Sequence, residues 1–256
     1  MLPKTALRGA RALARRTLIS GYNAVRTNDF APRFYDDSLI ASFRGQRPRE
    51  SDISDHLPTI FADVVGAQPK LVVELGTRGG ESTKTILAAA SRSDARVLSV
   101  DINDCAGVDV PENLKARWEF IQADDIAFEQ KGFREWCAKR GVAPSIDVLF
   151  IDTSHMYEHT VQEIERWTPL VPVGGTVLFH DTNLRRTART VGNKLLDFGW
   201  DNQRGVIRAI EEFLGRRYDE QTFFVDTVRG WLVRHHPNSY GLTMMKRLAP
   251  SSGAGN

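Results

Sequence analysis

The chain has 256 residues, 41 % of them hydrophobic and 26 % charged, with a formal net charge of +2. That length suits one large domain with appendages, and the ordinary composition argues for a globular chain over a disordered one. No run approaches the ~18 consecutive apolar residues of a membrane helix, which argues against an integral membrane segment. Cys105 and Cys137 are the only cysteines and show no ligand or redox spacing, so a reducing, cytoplasmic setting is expected.

The charge is unevenly spread. Residues 1–28 hold six basic side chains and no acid, so the remainder nets −4 and offers no basic platform for nucleic acid. Leu7, Ala10, Ala14 and Leu18 fall on one helical face, with Arg8, Arg11 and Arg15 beside them. Three readings of this helix stay open: packing on its own domain or a partner subunit, a membrane-surface contact, or a targeting peptide. Residues 1–50 are thus a basic helical extension, 51–248 the main domain and 249–256 a disordered tail. A homo-oligomer built through the first helix is one expectation.

Five strand-like runs then alternate with helical patterns: 71–75, 97–101, 118–121, 146–151 and 176–180. This alternation predicts a parallel sheet covered by helices on both faces. Helices are expected over 82–90, from 157 to about 167 with Ser154 as N-cap, and over 206–214. Residues 182–205 are polar and arginine-rich, and are read either as a lid over the cleft or as a solvated basic helix. Two last runs, 222–225 and 231–234, predict an antiparallel hairpin. The fold class is therefore α/β, a doubly wound Rossmann-like sheet of order 3-2-1-4-5-7-6 with strand 7 antiparallel.

The turn after the first strand reads Glu74-Leu75-Gly76-Thr77-Arg78-Gly79-Gly80, followed by Ser82. Glycine permits tight geometry and close ligand approach, and the following helix offers free N–H groups to a negative group. The turn lacks G-x-G-x-x-G, which weighs against a dinucleotide. An acid there suits a ligand with an amino group and a sulfonium centre. Asp101 ends the second strand, where an acid can accept ribose hydroxyls, and Asp124-Asp125 follows the third, where a carboxylate can accept from an adenine amino group. Open sheets bind ligands at successive strand ends, so the order points to S-adenosylmethionine. Asp152 and Asp181 end neighbouring strands; two carboxylates in one cleft repel unless a proton or cation separates them, and Mg²⁺ is the default ion. His155, three residues past Asp152, is placed as general base for a substrate hydroxyl.

Over roughly 52–236 the chain resembles the class I methyltransferase group that includes cephalosporin-hydroxylase-like proteins and the metal-dependent O-methyltransferases of macrolide sugars. The resemblance rests on Glu74-Leu75-Gly76-x-x-Gly79-Gly80-x-Ser82-Thr83, Phe150-Ile151-Asp152-x-x-His155-x-Tyr157-Glu158 and Gly174-Gly175-x-x-x-Phe179-His180-Asp181. The run Gly205-Val206-x-Arg208-Ala209-Ile210-Glu211-Glu212-Phe213-Leu214 adds to it. It implies Asp152 and Asp181 as Mg²⁺ ligands, His155 as base, and a third ligand at His180, where the macrolide-sugar enzymes carry Glu. Imidazole suits softer metals better than Mg²⁺. It also implies O-methylation of a small, oxygen-rich acceptor, met by Arg185, Arg186, Arg189 and Arg204. A nicotinamide-dependent oxidoreductase and a non-catalytic methyltransferase-like module are the competing readings.

Overall fold

A computed structural model describes residues 4–24 and 51–248; the expected disordered tail lies outside them. The elements in chain order are α1 (Lys4–Ala24), α2 (Leu57–Ala67), β1 (Leu71–Leu75), α3 (Glu81–Ala90), β2 (Arg96–Asp101), α4 (Glu112–Lys115) and β3 (Trp118–Gln122). There follow α5 (Asp125–Phe128), α6 (Arg134–Arg140), β4 (Val148–Ile151), α7 (Tyr157–Trp167), β5 (Thr176–His180), β6 (Thr187–Arg189) and β7 (Leu195–Asp197). The chain closes with α8 (Gly205–Leu214), β8 (Phe224–Val228), β9 (Trp231–His236) and β10 (Leu242–Arg247).

Eight strands form one sheet in the order β3-β2-β1-β4-β5-β10-β9-β8. The first five are parallel, and β10 runs antiparallel to β5. Strand alternation explains why β1 reads as an unbroken apolar run. Leu71, Val73 and Leu75 point into one core with Phe133, Trp167 and Ile210, beneath α6, α7 and α8. Val72 points into the other, with Ile60 and Ile86 of α2 and α3.

The expected order 3-2-1-4-5-7-6 needs correction. The predicted terminal hairpin exists as β8–β9, but the strand beside β5 is β10, which pairs Leu242 with His180 and Lys246 with Thr176. Its sequence, Leu-Thr-Met-Met-Lys-Arg, has no period-two pattern because both faces of its first four residues are buried. A second difference lies in residues 182–205, which do not form the solvated basic helix that is one of the two readings. They carry the two-stranded hairpin β6–β7, with Thr187 opposite Asp197. The first helix lies on it: Asn23 Nδ2 donates to the Leu195 carbonyl and Leu195 N–H donates back to Asn23 Oδ1, each at 2.9 Å, and Arg15 pairs with Asp197 at 3.0 Å. Leu18 is exposed, so at that position the expected apolar stripe is not the packed face. Among the described residues no helix is long and apolar enough to cross a membrane.

Candidate active site at the strand ends

The turn after β1 is fixed from three sides. Gly76 sits at φ 88°, and a Cβ there would lie 2.0 Å from the Asp152 carbonyl oxygen, so the turn presses directly on the loop after β4. Only glycine fits. Glu74 is fully buried and accepts from Ser82 Oγ at 2.6 Å, Thr83 Oγ1 at 2.7 Å and Ser99 Oγ at 2.6 Å. Burial pushes its carboxyl up to about 7 against these stabilising hydroxyls. Expected as cofactor contacts, Glu74 and Ser82 instead brace the turn against α3 and β2. Arg78 turns its guanidinium outward to Asp52, at 2.8 Å.

Asp101 is the best placed of the expected cofactor acids. Its Oδ2 accepts from the backbone N–H of Thr77 at 2.8 Å and of Arg78 at 3.2 Å, and its Oδ1 from Asn103. Burial works to raise its pKa, but these donors outweigh it and hold the carboxyl below the ordinary range. The turn and the end of β2 are therefore one rigid unit. Asp124 is exposed and caps α5, accepting from Ala127 N–H at 2.8 Å. Asp125 turns inward to His159 Nε2 at 3.0 Å, away from the expected adenine role.

The chemical constellation converges. Asp152, His155 and Asp181 bring one ligand atom each within 4.8 Å of one another, all buried. His155 Nδ1 lies 3.1 Å from Asp181 Oδ2 and 3.8 Å from Asp152 Oδ1. His180 is not in that group. Its Nδ1 stands 3.1 Å from Asp152 Oδ1 and 3.5 Å from Asp181 Oδ1, while its Nε2 is buried without a hydrogen-bond partner among the described residues. Burial works against charge on His180, yet Asp181 and Asp152 raise its pKa well above the ordinary value. The ring is a buried counter-charge to both acids, which corrects its expected role as third ligand.

Several neighbours carried no signal in the sequence. Asn202 donates from Nδ2 to the Asp181 carbonyl at 3.2 Å. Phe198 meets the edge of the His155 ring at 6.5 Å and that of Tyr240 at 5.3 Å, and His56 packs edge-on to His180 at 5.6 Å. These come from segments with no motif, so only the fold assembles them. Tyr157 hydrogen-bonds Glu212, and Arg208 stacks over its ring at 3.4 Å; both motif helices, α7 and α8, are tied by this contact. Three of the four expected acceptor arginines are paired with other residues of the chain. Arg185 pairs with Glu220, Arg204 with Glu211 and Glu220, and Arg189 with Tyr22 and Asn193.

Residues 73–182, which hold the turn, the converging acids and both histidines, match a protein-family model described as a methyltransferase domain. The match spans 110 of the 256 residues and likens this stretch to methyltransferases. Solved structures agree on the fold. A putative caffeoyl-CoA O-methyltransferase from Staphylococcus aureus has a TM-score of 0.53 at 14 % identity, covering 92 % of this chain and 99 % of that one. A methyltransferase from Geobacter sulfurreducens has a TM-score of 0.53 at 18 %, covering 91 % and 96 %. An O-methyltransferase from Bacillus cereus, solved with S-adenosylhomocysteine, has a TM-score of 0.50 at 15 %, covering 90 % and 99 %. Among curated proteins none matches significantly.

Proposed function

We infer that the protein is a class I, S-adenosylmethionine-dependent methyltransferase that transfers the methyl group to a hydroxyl of a small, oxygen-rich acceptor. The observation that carries the reading is the 3.1 Å approach of His155 Nδ1 to Asp181 Oδ2, beside the Gly76 turn. With Nδ1 protonated and facing the Asp181 carboxylate, the other ring nitrogen is left as a proton acceptor. His155 Nε2 takes the acceptor's hydroxyl proton, the oxygen attacks the methyl carbon in line, and the C–S bond breaks with its electron pair going to sulfur. The products are the methyl ether and S-adenosylhomocysteine. Asp101, at the end of β2, holds the adenosyl part. A cavity of 440 Å³ beyond Asp181, lined by Asn183, Arg186, Thr187, Asp201 and Gln203, is polar enough for a hydroxyl-rich acceptor.

The residues also fit a divalent cation. Asp181 is fully buried, and neither of its carboxylate oxygens accepts a well-formed hydrogen bond among the described residues. Asp152 and Asp181 would hold Mg²⁺, which would supply a lowered pKa for the acceptor hydroxyl.

The test is the thermal midpoint with S-adenosylhomocysteine, with NAD⁺, and with S-adenosylhomocysteine plus Mg²⁺, in wild type and Asp152→Asn. Ligand at ~100 Kd stabilises by about 2.7 kcal/mol. A rise with S-adenosylhomocysteine, enlarged by Mg²⁺ in wild type alone, is expected. No response to S-adenosylhomocysteine, or a response to NAD⁺ instead, overturns the reading.

A further inference from the structure

A second cluster stands outside this machinery. Asp125 opens α5, and His159 and Glu163 lie one turn apart on the same side of α7. Both carboxylates approach a single imidazole nitrogen: His159 Nε2 is 3.0 Å from Asp125 Oδ1 and 3.6 Å from Glu163 Oε1. All three offer ligand atoms within 4.8 Å of one another. Ligand atoms around a tetrahedral Zn²⁺, with bonds of about 2.0–2.1 Å, lie roughly 3.3 Å apart, and the two distances from His159 Nε2, 3.0 and 3.6 Å, bracket that value.

Two buried atoms point independently to a missing ligand. Asp125 is 6 % exposed and Glu163 fully buried. Asp125 Oδ2 and Glu163 Oε2 take no donor among the described residues. Such oxygens each cost free energy unless something positive meets them. Thr153 Oγ1 donates to Glu163 Oε1 at 2.6 Å, the kind of supporting bond that orients a ligating carboxylate. His159 is a quarter exposed, so an ion can reach the cluster and keep a water as its fourth ligand.

We propose that Asp125, His159 and Glu163 form a transition-metal site, with Zn²⁺ as its default occupant, that ties α5 to α7. One imidazole and two carboxylates are a donor set for Zn²⁺ more than for Mg²⁺, which prefers oxygen ligands and its own waters. The site joins the loop after β3 to the helix after β4, and through Thr153 it abuts Asp152. It stands independently of the methyl-transfer reading, because no donor or acceptor takes part in it.

The experiment is Zn²⁺ binding to the metal-stripped full chain, by competition with a chromophoric chelator, with the thermal midpoint followed in parallel. Wild type, His159→Ala, Glu163→Gln and Asp181→Asn are compared. One equivalent of Zn²⁺ should weaken at least tenfold in His159→Ala and in Glu163→Gln, and persist in Asp181→Asn. The wild-type midpoint should rise with Zn²⁺ while that of His159→Ala stays flat. Glu163→Gln keeps an acceptor for Thr153, so it reports even where the alanine variant folds poorly. Binding equal to wild type in both variants, absence of a bound equivalent in wild type, or loss confined to Asp181→Asn overturns the proposal.

Discussion

His155 and Asp181 meet at 3.1 Å although both residues hold left-handed backbone, at φ 60° and 56°. Non-glycine residues at such φ cost about 1 kcal/mol or more, and Asn, Asp and His tolerate it best. The chain bends sharply at the ends of β4 and β5, and those bends aim an imidazole and a carboxylate at one point. Two variants at one position separate chemistry from strain. His155→Asn keeps the tolerance for positive φ and should stay within about 1 kcal/mol of wild type, with His155→Ala about 1 kcal/mol below it. Both should lose turnover by about 10²–10⁴-fold if the ring is the base. Denaturant unfolding beside a methyl-transfer assay reads this, and undiminished turnover in the asparagine variant would remove His155 from the chemistry.

Glu74 makes stability depend on pH. Its folded-state pKa, about 7, is above the ordinary 4.5 because burial disfavours the carboxylate. The native state therefore keeps a proton that the unfolded chain has released. The sign follows: this contribution is present below about pH 4.5 and lost as pH rises through 7. The shift corresponds to on the order of 3 kcal/mol. Glu74→Gln cannot ionise, so the stability gap between wild type and variant should move against wild type by up to that amount between pH 4.5 and 8. A constant gap across that window would mean that Glu74 is charged throughout.

Much of this architecture was legible in the amino-acid order. Strands β1 to β5 fall within two residues of their expected limits because parallel strands buried on both faces leave short apolar runs closed by glycine or acid. The pairing of Asp152 with Asp181 followed from the same logic, since adjacent strand ends must meet. What stayed hidden has physical reasons. In β10 buried methionines replace the β-branched residues that mark a strand. The hairpin β6–β7 is short and half exposed, and its position depends on a helix some 170 residues earlier in the chain. The role of Glu74 was misplaced because its hydroxyl partners lie on two other elements, and spacing alone does not tell a brace from a ligand contact.

Arg204 was expected to face the acceptor, but its guanidinium holds two buried acids. Nη2 lies 2.8 Å from Glu211 Oε1 and Nε lies 2.9 Å from Glu220 Oε2. Arg204→Ala leaves both carboxylates short of a donor, with Arg185 as the remaining cationic partner of Glu220. Because a third of the Arg204 side chain is exposed, the full cost of breaking a buried pair does not apply, and about 1–3 kcal/mol of destabilisation is expected. Acceptor KM should change less than twofold once the enzyme is assayed well below its melting point. Arg186 and Arg204 both line the cavity, but Arg186 makes no ion pair among the described residues, so Arg186→Ala should carry the larger KM effect. A KM raised by Arg204→Ala alone would return that residue to the acceptor site.

Asn23 connects the first helix to catalysis by way of the hairpin. Its amide exchanges two hydrogen bonds with Leu195, and Arg189 on the facing strand bonds Tyr22 at 2.8 Å. The segment held in this way carries Phe198 against the ring of His155, and Asn202 against the backbone of Asp181. Asn23→Ala removes both side-chain partners of Leu195 at a site two elements away from the strand ends. About 1–2 kcal/mol of local stability should go with them, equivalent to roughly 5–30-fold faster amide hydrogen exchange across 187–198. Exchange in β1, β4 and β5 should be unchanged, because those amides open only with the whole sheet. Uniform protection in the variant would show that the hairpin holds its place without the helix, and that α1 merely rests on it.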